Sequence, residues 1–257
     1  MGRRVKQAAA MKRKRYNLLD GIRGLAILNM VAYHAIWDLV YLYGVKWDWY
    51  QSEGAYVWQQ GICWTFILVS GFCYPFGRRK IKRGLIILGL GFVISMVTWI
   101  ATPQARVRFG VLTLIGSCML LMVPLERYLK KAGAAAGLLM SAALFFLTRN
   151  VNRGFLGFEK WNFLKLPGEW YDNWIGTYLG FPERGFYSSD YFSLIPWFFL
   201  FLTGYFVNRL LYQKNLLLYL EAGKSKILEI LGRYSLQIYV LHQPLLYGGF
   251  WLINELA

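Results

Sequence analysis

The residues of this chain best suited to chemistry are ionisable groups set inside apolar sequence. Asp20, Arg23, His34 and Asp38 lie within the run 18–43, and His242 stands beside Gln243 within 234–255. A histidine, with an ordinary pKa of about 6.5, takes up and returns a proton near neutrality. A carboxylate one helical turn away orients the imidazole and stabilises its charged form, so His34 and Asp38 read as a general base and its partner. Arg23 offers a planar fork for phosphate or amide oxygens, or pairs with Asp20 three positions earlier to fix a helix end. His242 reads as a second base or as a structural hydrogen-bonding group toward another helix, with Pro244 freeing a carbonyl nearby.

The spacing of these groups says more than their presence. Arg23 and His34 are eleven positions apart. On an α-helix that is about three turns, so the two share one stripe about 16 Å long. Asp20 and Asp38 fall within about 40° of that stripe. One helix therefore carries Asp20 with Arg23 at one end and His34 with Asp38 at the other. Each such group costs about 2.5–3.5 kcal/mol near a bilayer centre, and a lipid-facing helix has no use for them.

The elements that must position these residues are membrane helices. Of the 257 residues, 57% are hydrophobic and 16% charged, against about 25% charged in soluble domains. The net charge of +16 does not form one patch. Basic residues recur in clusters between apolar runs, at 3–15, 78–83, 127–131 and 209–233, which is the pattern of cytoplasmic loops and excludes a nucleic-acid surface. Cys63, Cys73 and Cys118 lie in or beside apolar runs as small hydrophobes, so a disulfide framework is not expected. Two histidines and no Cys-x-x-Cys spacing give no metal site. The basic N-terminus leads into a long, charge-bearing run, so it reads as a retained first helix and not a cleaved signal.

Seven runs of spanning length can be placed, at 18–43, 57–76, 84–101, 110–125, 134–148, 192–212 and 234–255. The expected fold is an all-α helix bundle, a single transmembrane domain over 1–257, with a basic cytoplasmic tail at 1–15, the N-terminus inside and the C-terminus outside. That orientation puts 20 of the 29 Lys and Arg in cytoplasmic segments or, for Arg209, at the cytoplasmic end of a span, with eight in outer loops and Arg23 in the membrane. One connection, 149–190, is long and rich in tryptophan and tyrosine. It reads as an interfacial belt, or as a lid or sugar-stacking platform over an outward site.

Several motifs carry a family resemblance. Leu19-Asp20-Gly21-Ile22-Arg23-Gly24-Leu25-Ala26-Ile27 followed by His34 resembles the first helix of the transmembrane acyltransferases. The arginine–ten residues–histidine spacing is similar to that of the O-acyltransferase family three, and Phe66-Ile67-Leu68-Val69-Ser70-Gly71-Phe72 resembles a second-helix motif. Phe109-Gly110-Val111-Leu112, Ser189-Asp190-Tyr191-Phe192-Ser193-Leu194-Ile195-Pro196-Trp197 and the segment from Gly232 to Pro244 are closer to the heparan-α-glucosaminide N-acetyltransferase catalytic-domain family. The chain departs from the resemblance at Thr113, where many members carry histidine.

The resemblance implies acyl transfer from cytosolic acyl-CoA, acetyl-CoA first among them, to a hydroxyl or amine of an extracytoplasmic glycan or lipid-linked sugar, without a metal. His34 and Asp38 are then the catalytic pair. Arg23, Asp20 and Ser70 are expected on the donor. Asp190, Trp197, His242 and Gln243 are expected on the acceptor, although on physical grounds alone Asp190 reads as a helix cap and Ser70 as a serine bonding its own helix. The expected setting is a multi-pass protein of a bacterial plasma membrane, in contact with lipid and with homodimerisation left open. The competing class is a transporter or flippase, for which the polar stripe is a pathway. The spans do not fall into two similar halves, which weighs against common transporter architectures.

Overall fold

The computed structural model describes residues 15–223 and 225–256. Most of the basic tail expected at 1–15, and Lys224 of the last basic cluster, lie outside the described residues. Nine α-helices are described: α1 Asn17–Tyr41, α2 Glu53–Cys73, α3 Lys80–Ala101, α4 Val111–Leu129, α5 Ala134–Thr148, α6 Trp174–Leu179, α7 Leu194–Gln213, α8 Lys226–Arg233 and α9 Ser235–Leu256. A two-stranded hairpin, β1 Phe155–Phe158 and β2 Trp161–Lys165, interrupts an otherwise helical chain. The protein is an all-α membrane protein. Among the described residues, five segments are long and apolar enough to cross a bilayer: α1, α3, α4, Ala134–Arg153 and α7. The other two expected spans fall on α2 and α9, helices of 21 and 22 residues that are diluted by glutamine and other polar groups.

Two compact units are distinguished, Met1–Thr65 with Tyr212–Ala257, and Phe66–Leu211. In the first, α1 meets the short amphipathic helix α8 through bare backbone. A Cβ on Gly24 would lie 1.9 Å from the Leu228 carbonyl oxygen, and one on Gly232 would lie 1.8 Å from that of Asp20. Glycine at both positions is what permits the crossing. Ser225 caps α8, its hydroxyl accepting from the Leu228 amide at 3.4 Å. The Trp58 indole of α2 donates to Asn29 of α1 at 2.9 Å.

The second unit repeats the device. A Cβ on Gly71 would lie 1.9 Å from the Phe201 carbonyl oxygen, and one on Gly204 would lie 2.1 Å from that of Leu68, so α2 and α7 touch there. On α3 and α4, Gly91 faces Thr113 and Gly116 faces Leu88 in the same manner. The Arg209 guanidinium reaches the exposed carbonyls that end α4, at 2.5 Å from Leu129 and 3.0 Å from Lys130. Helix C-termini leave such carbonyls unpaired, and arginine satisfies them.

The 149–190 segment is not a structureless loop. The hairpin pairs Phe155 with Lys165 and Phe158 with Trp161, with an irregularity between Leu156 and Gly157. Buried Asn150 holds the turn, its amide donating to the Glu159 carbonyl at 2.9 Å and to the Asn162 side chain at 2.8 Å. Asn173 caps α6 by accepting from the Gly176 amide at 2.7 Å. Trp161, Phe163 and Trp174 remain exposed on this scaffold.

Candidate active site

Within the first unit, α1 and α9 bring four of the expected residues together. The rings of His34 and His242 stand edge to face with centroids 4.9 Å apart. The Gln243 amide donates to Asp38 Oδ1 at 2.8 Å, joining positions 205 residues apart. Asp38 is fully buried. Among the described residues no hydrogen bond joins Asp38 to His34, although the two lie one turn apart on α1. The carboxylate instead reaches across to α9.

The two histidines differ in what satisfies them. His242 Nδ1 lies 2.6 Å from the Tyr239 carbonyl in its own helix, and a carbonyl only accepts, so Nδ1 carries the proton. Its Nε2 is buried without a partner among the described residues. His34 is half-buried, and neither of its ring nitrogens forms a hydrogen bond among the described residues. Asp38 Oδ2 and Gln243 Oε1 are likewise buried and unpartnered among the described residues. Buried polar atoms are nearly always paired, so several open valences in one place mark a spot prepared for something else. Beside His34, the Tyr33 ring is braced by Tyr50 at 4.9 Å and by Trp58 at 5.4 Å. Tyr50 is buried in the short turn Asp48–Gln51, where its hydroxyl donates to the Tyr33 carbonyl at 3.3 Å, and burial raises the phenol's pKa above its ordinary range.

The other end of α1 is a closed network. Arg23 Nη1 lies 3.4 Å from Asp20 Oδ1, the i, i+3 pair expected from the spacing. Arg233 of α8 approaches Asp20 Oδ2 at 3.9 Å and Glu229 at 3.5 Å. Two arginines and two carboxylates balance one another within this network.

The remaining expected residues, Asp190, Trp197 and Ser70, lie in the second unit. Asp190 is a cap, but of another helix than the one it precedes. Its Oδ2 accepts from the Val111 amide at 3.3 Å, at the start of α4, where the N-cap residue Gly110 has no side chain to do so. Neighbouring Ser188 accepts from the Arg108 amide at 2.8 Å, and Phe192 donates to the Phe109 carbonyl at 2.9 Å. Trp197 is buried between Phe145 and Phe192, with the Arg149 guanidinium 4.9 Å from its ring centre. Ser70 sits at the α2–α7 crossing beside Gly71, half-buried, and its hydroxyl forms no hydrogen bond among the described residues. Thr113, the point of departure from the resemblance, is buried with its hydroxyl unpartnered, against Gly91. Among the described residues, no group of histidine, cysteine and acidic side chains is arranged to hold a metal ion.

Sequence spacing did not foresee the Asp38–Gln243 bond, although Gln243 was visible as a polar residue in an apolar run. Helix α8 was also missed. Its signal was Ser225 followed by an amphipathic stretch, hidden in what reads as a basic loop.

Neither the curated proteins nor the solved structures compared with the chain give a match. The family model described as heparan-alpha-glucosaminide N-acetyltransferase, catalytic, matches residues 15–244, a span that takes in α1 and, on α9, His242 and Gln243. The chain belongs to the heparan-α-glucosaminide N-acetyltransferase catalytic-domain family, and it is a membrane acetyltransferase by that membership.

Proposed function

We propose that the chain moves an acetyl group from acyl-CoA to a hydroxyl or amine of an extracytoplasmic glycan or lipid-linked sugar, with His34 as the base. The observation that carries this reading is the state of His34, a half-buried imidazole with no hydrogen bond spent on structure, among buried polar atoms that also lack partners. Acyl-CoA supplies the thioester-activated acyl group. Arg23 uses one guanidinium nitrogen on Asp20 and keeps further donors with which it would meet phosphate or pantetheine oxygens.

His34 takes the proton of the acceptor as its oxygen or nitrogen bonds to the acyl carbon. It then returns that proton to the departing sulfur, so the imidazole ends as it began. Asp38, held by Gln243, keeps one oxygen open a turn away and stabilises the imidazolium electrostatically. Seven membrane crossings, with the basic clusters on the cytoplasmic side, would put Asp20 and Arg23 on the donor side and His34 toward the acceptor.

The test is incubation of the purified full chain with radiolabelled acetyl-CoA, alone and with candidate amino sugars and glycans. Label is expected in a sugar. Release of no CoA with any acceptor, together with solute flux in proteoliposomes, overturns the reading in favour of transport. Label retained on the protein without acceptor would replace direct transfer by an acyl-enzyme.

A further inference from the structure

A groove of about 870 Å³ opens in the second unit at the basic end of α3 and α4, lined by side chains that play no part in the proposed transfer. Its polar lining holds Arg79, Lys80, Lys82 and Glu126, and its wall includes Ile81, Leu85 and Val123. Glu126 is already committed, lying 2.6 Å from Lys80 Nζ and 3.2 Å from Lys130 Nζ. Lys80 also stands 4.3 Å above the Tyr74 ring. Arg79 and Lys82 are exposed and form no ion pair among the described residues, so the rim carries positive charge that none of those residues neutralises. Arg79 adopts φ 54°, a left-handed conformation that non-glycine residues seldom take, at the turn into α3. Tyr74, which lines the same groove, is 3% exposed, and its hydroxyl has no hydrogen-bond partner among the described residues.

A cationic rim above an exposed wall of branched aliphatic side chains is complementary to an amphiphile with an anionic head. We propose that this groove binds an anionic phospholipid, the phosphate on Arg79 and Lys82 and an acyl chain along Ile81, Leu85 and Val123. A nucleotide donor shares the phosphate chemistry. It also brings amides and a base that need polar partners, and the wall offers aliphatic carbon instead.

The test uses native mass spectrometry of the full-length protein released from mixed micelles of phosphatidylglycerol and phosphatidylcholine. Phosphatidylglycerol is expected to be retained preferentially. Each of Arg79→Gln and Lys82→Gln should lower its retention roughly fivefold, equivalent to about 1 kcal/mol per basic side chain, while phosphatidylcholine is unaffected. Leu85→Trp, which fills the wall, should lower both. The pair Arg127→Gln and Lys131→Gln removes twice the charge of either variant, from exposed positions outside the groove, and should leave retention unchanged. Equal retention of the two lipids overturns the proposal, as does an equal loss in the Arg127 and Lys131 pair. Displacement of phosphatidylglycerol by acetyl-CoA, dependent on Arg79 and Lys82, also overturns it and assigns the groove to the donor.

Discussion

Helix α1 has polar groups at both ends, and the two ends are built on opposite plans. At the Asp20 end the four charged groups at the α1–α8 crossing are partnered: Arg23 and Arg233 on Asp20, and Arg233 again on Glu229. Gly24 and Gly232 let α8 close onto α1 there until backbones touch. At the His34 end the partners run short. His34 forms no hydrogen bond among the described residues, and Asp38 Oδ2, His242 Nε2 and Gln243 Oε1 are buried and unpaired. A closed network stabilises a crossing. An open one costs stability, which proteins tolerate where function requires it. Charge in an apolar helix is thus a weak guide to function, and unspent hydrogen-bonding capacity is a sharper one.

The largest effect that could break this contrast is at His34. His34→Ala should lower kcat by about 10²–10⁴-fold, the usual contribution of a positioned general base. It should leave the unfolding temperature nearly unchanged, because the ring forms no hydrogen bond that the fold would lose. Turnover within a few-fold of the parent in the labelled acetyl-CoA assay would remove His34 from the chemistry. A large drop in thermal stability would show that the ring is spent on structure after all.

Next in size is Gln243→Leu. The substitution takes the donor from a fully buried carboxylate, and an unsatisfied buried group costs about 1–3 kcal/mol, more when charged. The unfolding temperature in detergent should fall, and kcat should fall by less than in His34→Ala. Asp38→Asn in the same background should recover part of the stability, since an amide tolerates burial without a partner better than a carboxylate. An unchanged unfolding temperature in Gln243→Leu would mean that the bond between α1 and α9 contributes nothing.

How much of this could be read from sequence depended on the range of each interaction. The apolar runs gave the helices where they are found, because membrane burial writes itself into composition. The Asp20–Arg23 pair followed from i, i+3 spacing alone. The same local reasoning matched Asp38 with His34, and there the structure differs, because Gln243 sits 205 positions away and competes for the carboxylate. Asp190 was legible as a cap by residue type, yet the helix it caps was not, since its partner amide belongs to Val111. The hairpin at 155–165 lacks the Asn-Gly turn that would announce it, having Glu159 and Lys160 at its tip. Residue type was readable throughout, and the identity of a distant partner was not.

The smallest expected effect sharpens the contrast from the paired end. The side chains of Arg23 and Asp20 are 27% and 18% exposed, so their ion pair is partly screened and worth at most about 1 kcal/mol. Arg23→Ala should therefore lower stability only slightly, and Arg233 would keep Asp20 from standing alone. If Arg23 also lends its remaining donors to acyl-CoA, the KM for acetyl-CoA should rise several-fold while kcat holds, because binding is lost equally in the ground and transition states. Arg23→Lys should restore the stability but only part of the KM, since an ammonium replaces the charge and not the planar fork. An unchanged KM in Arg23→Ala would reduce this end of α1 to a latch between α1 and α8. A fall in kcat equal to that of His34→Ala would instead erase the distinction between the two ends, because a closed network would then be as much a part of the chemistry as the open one.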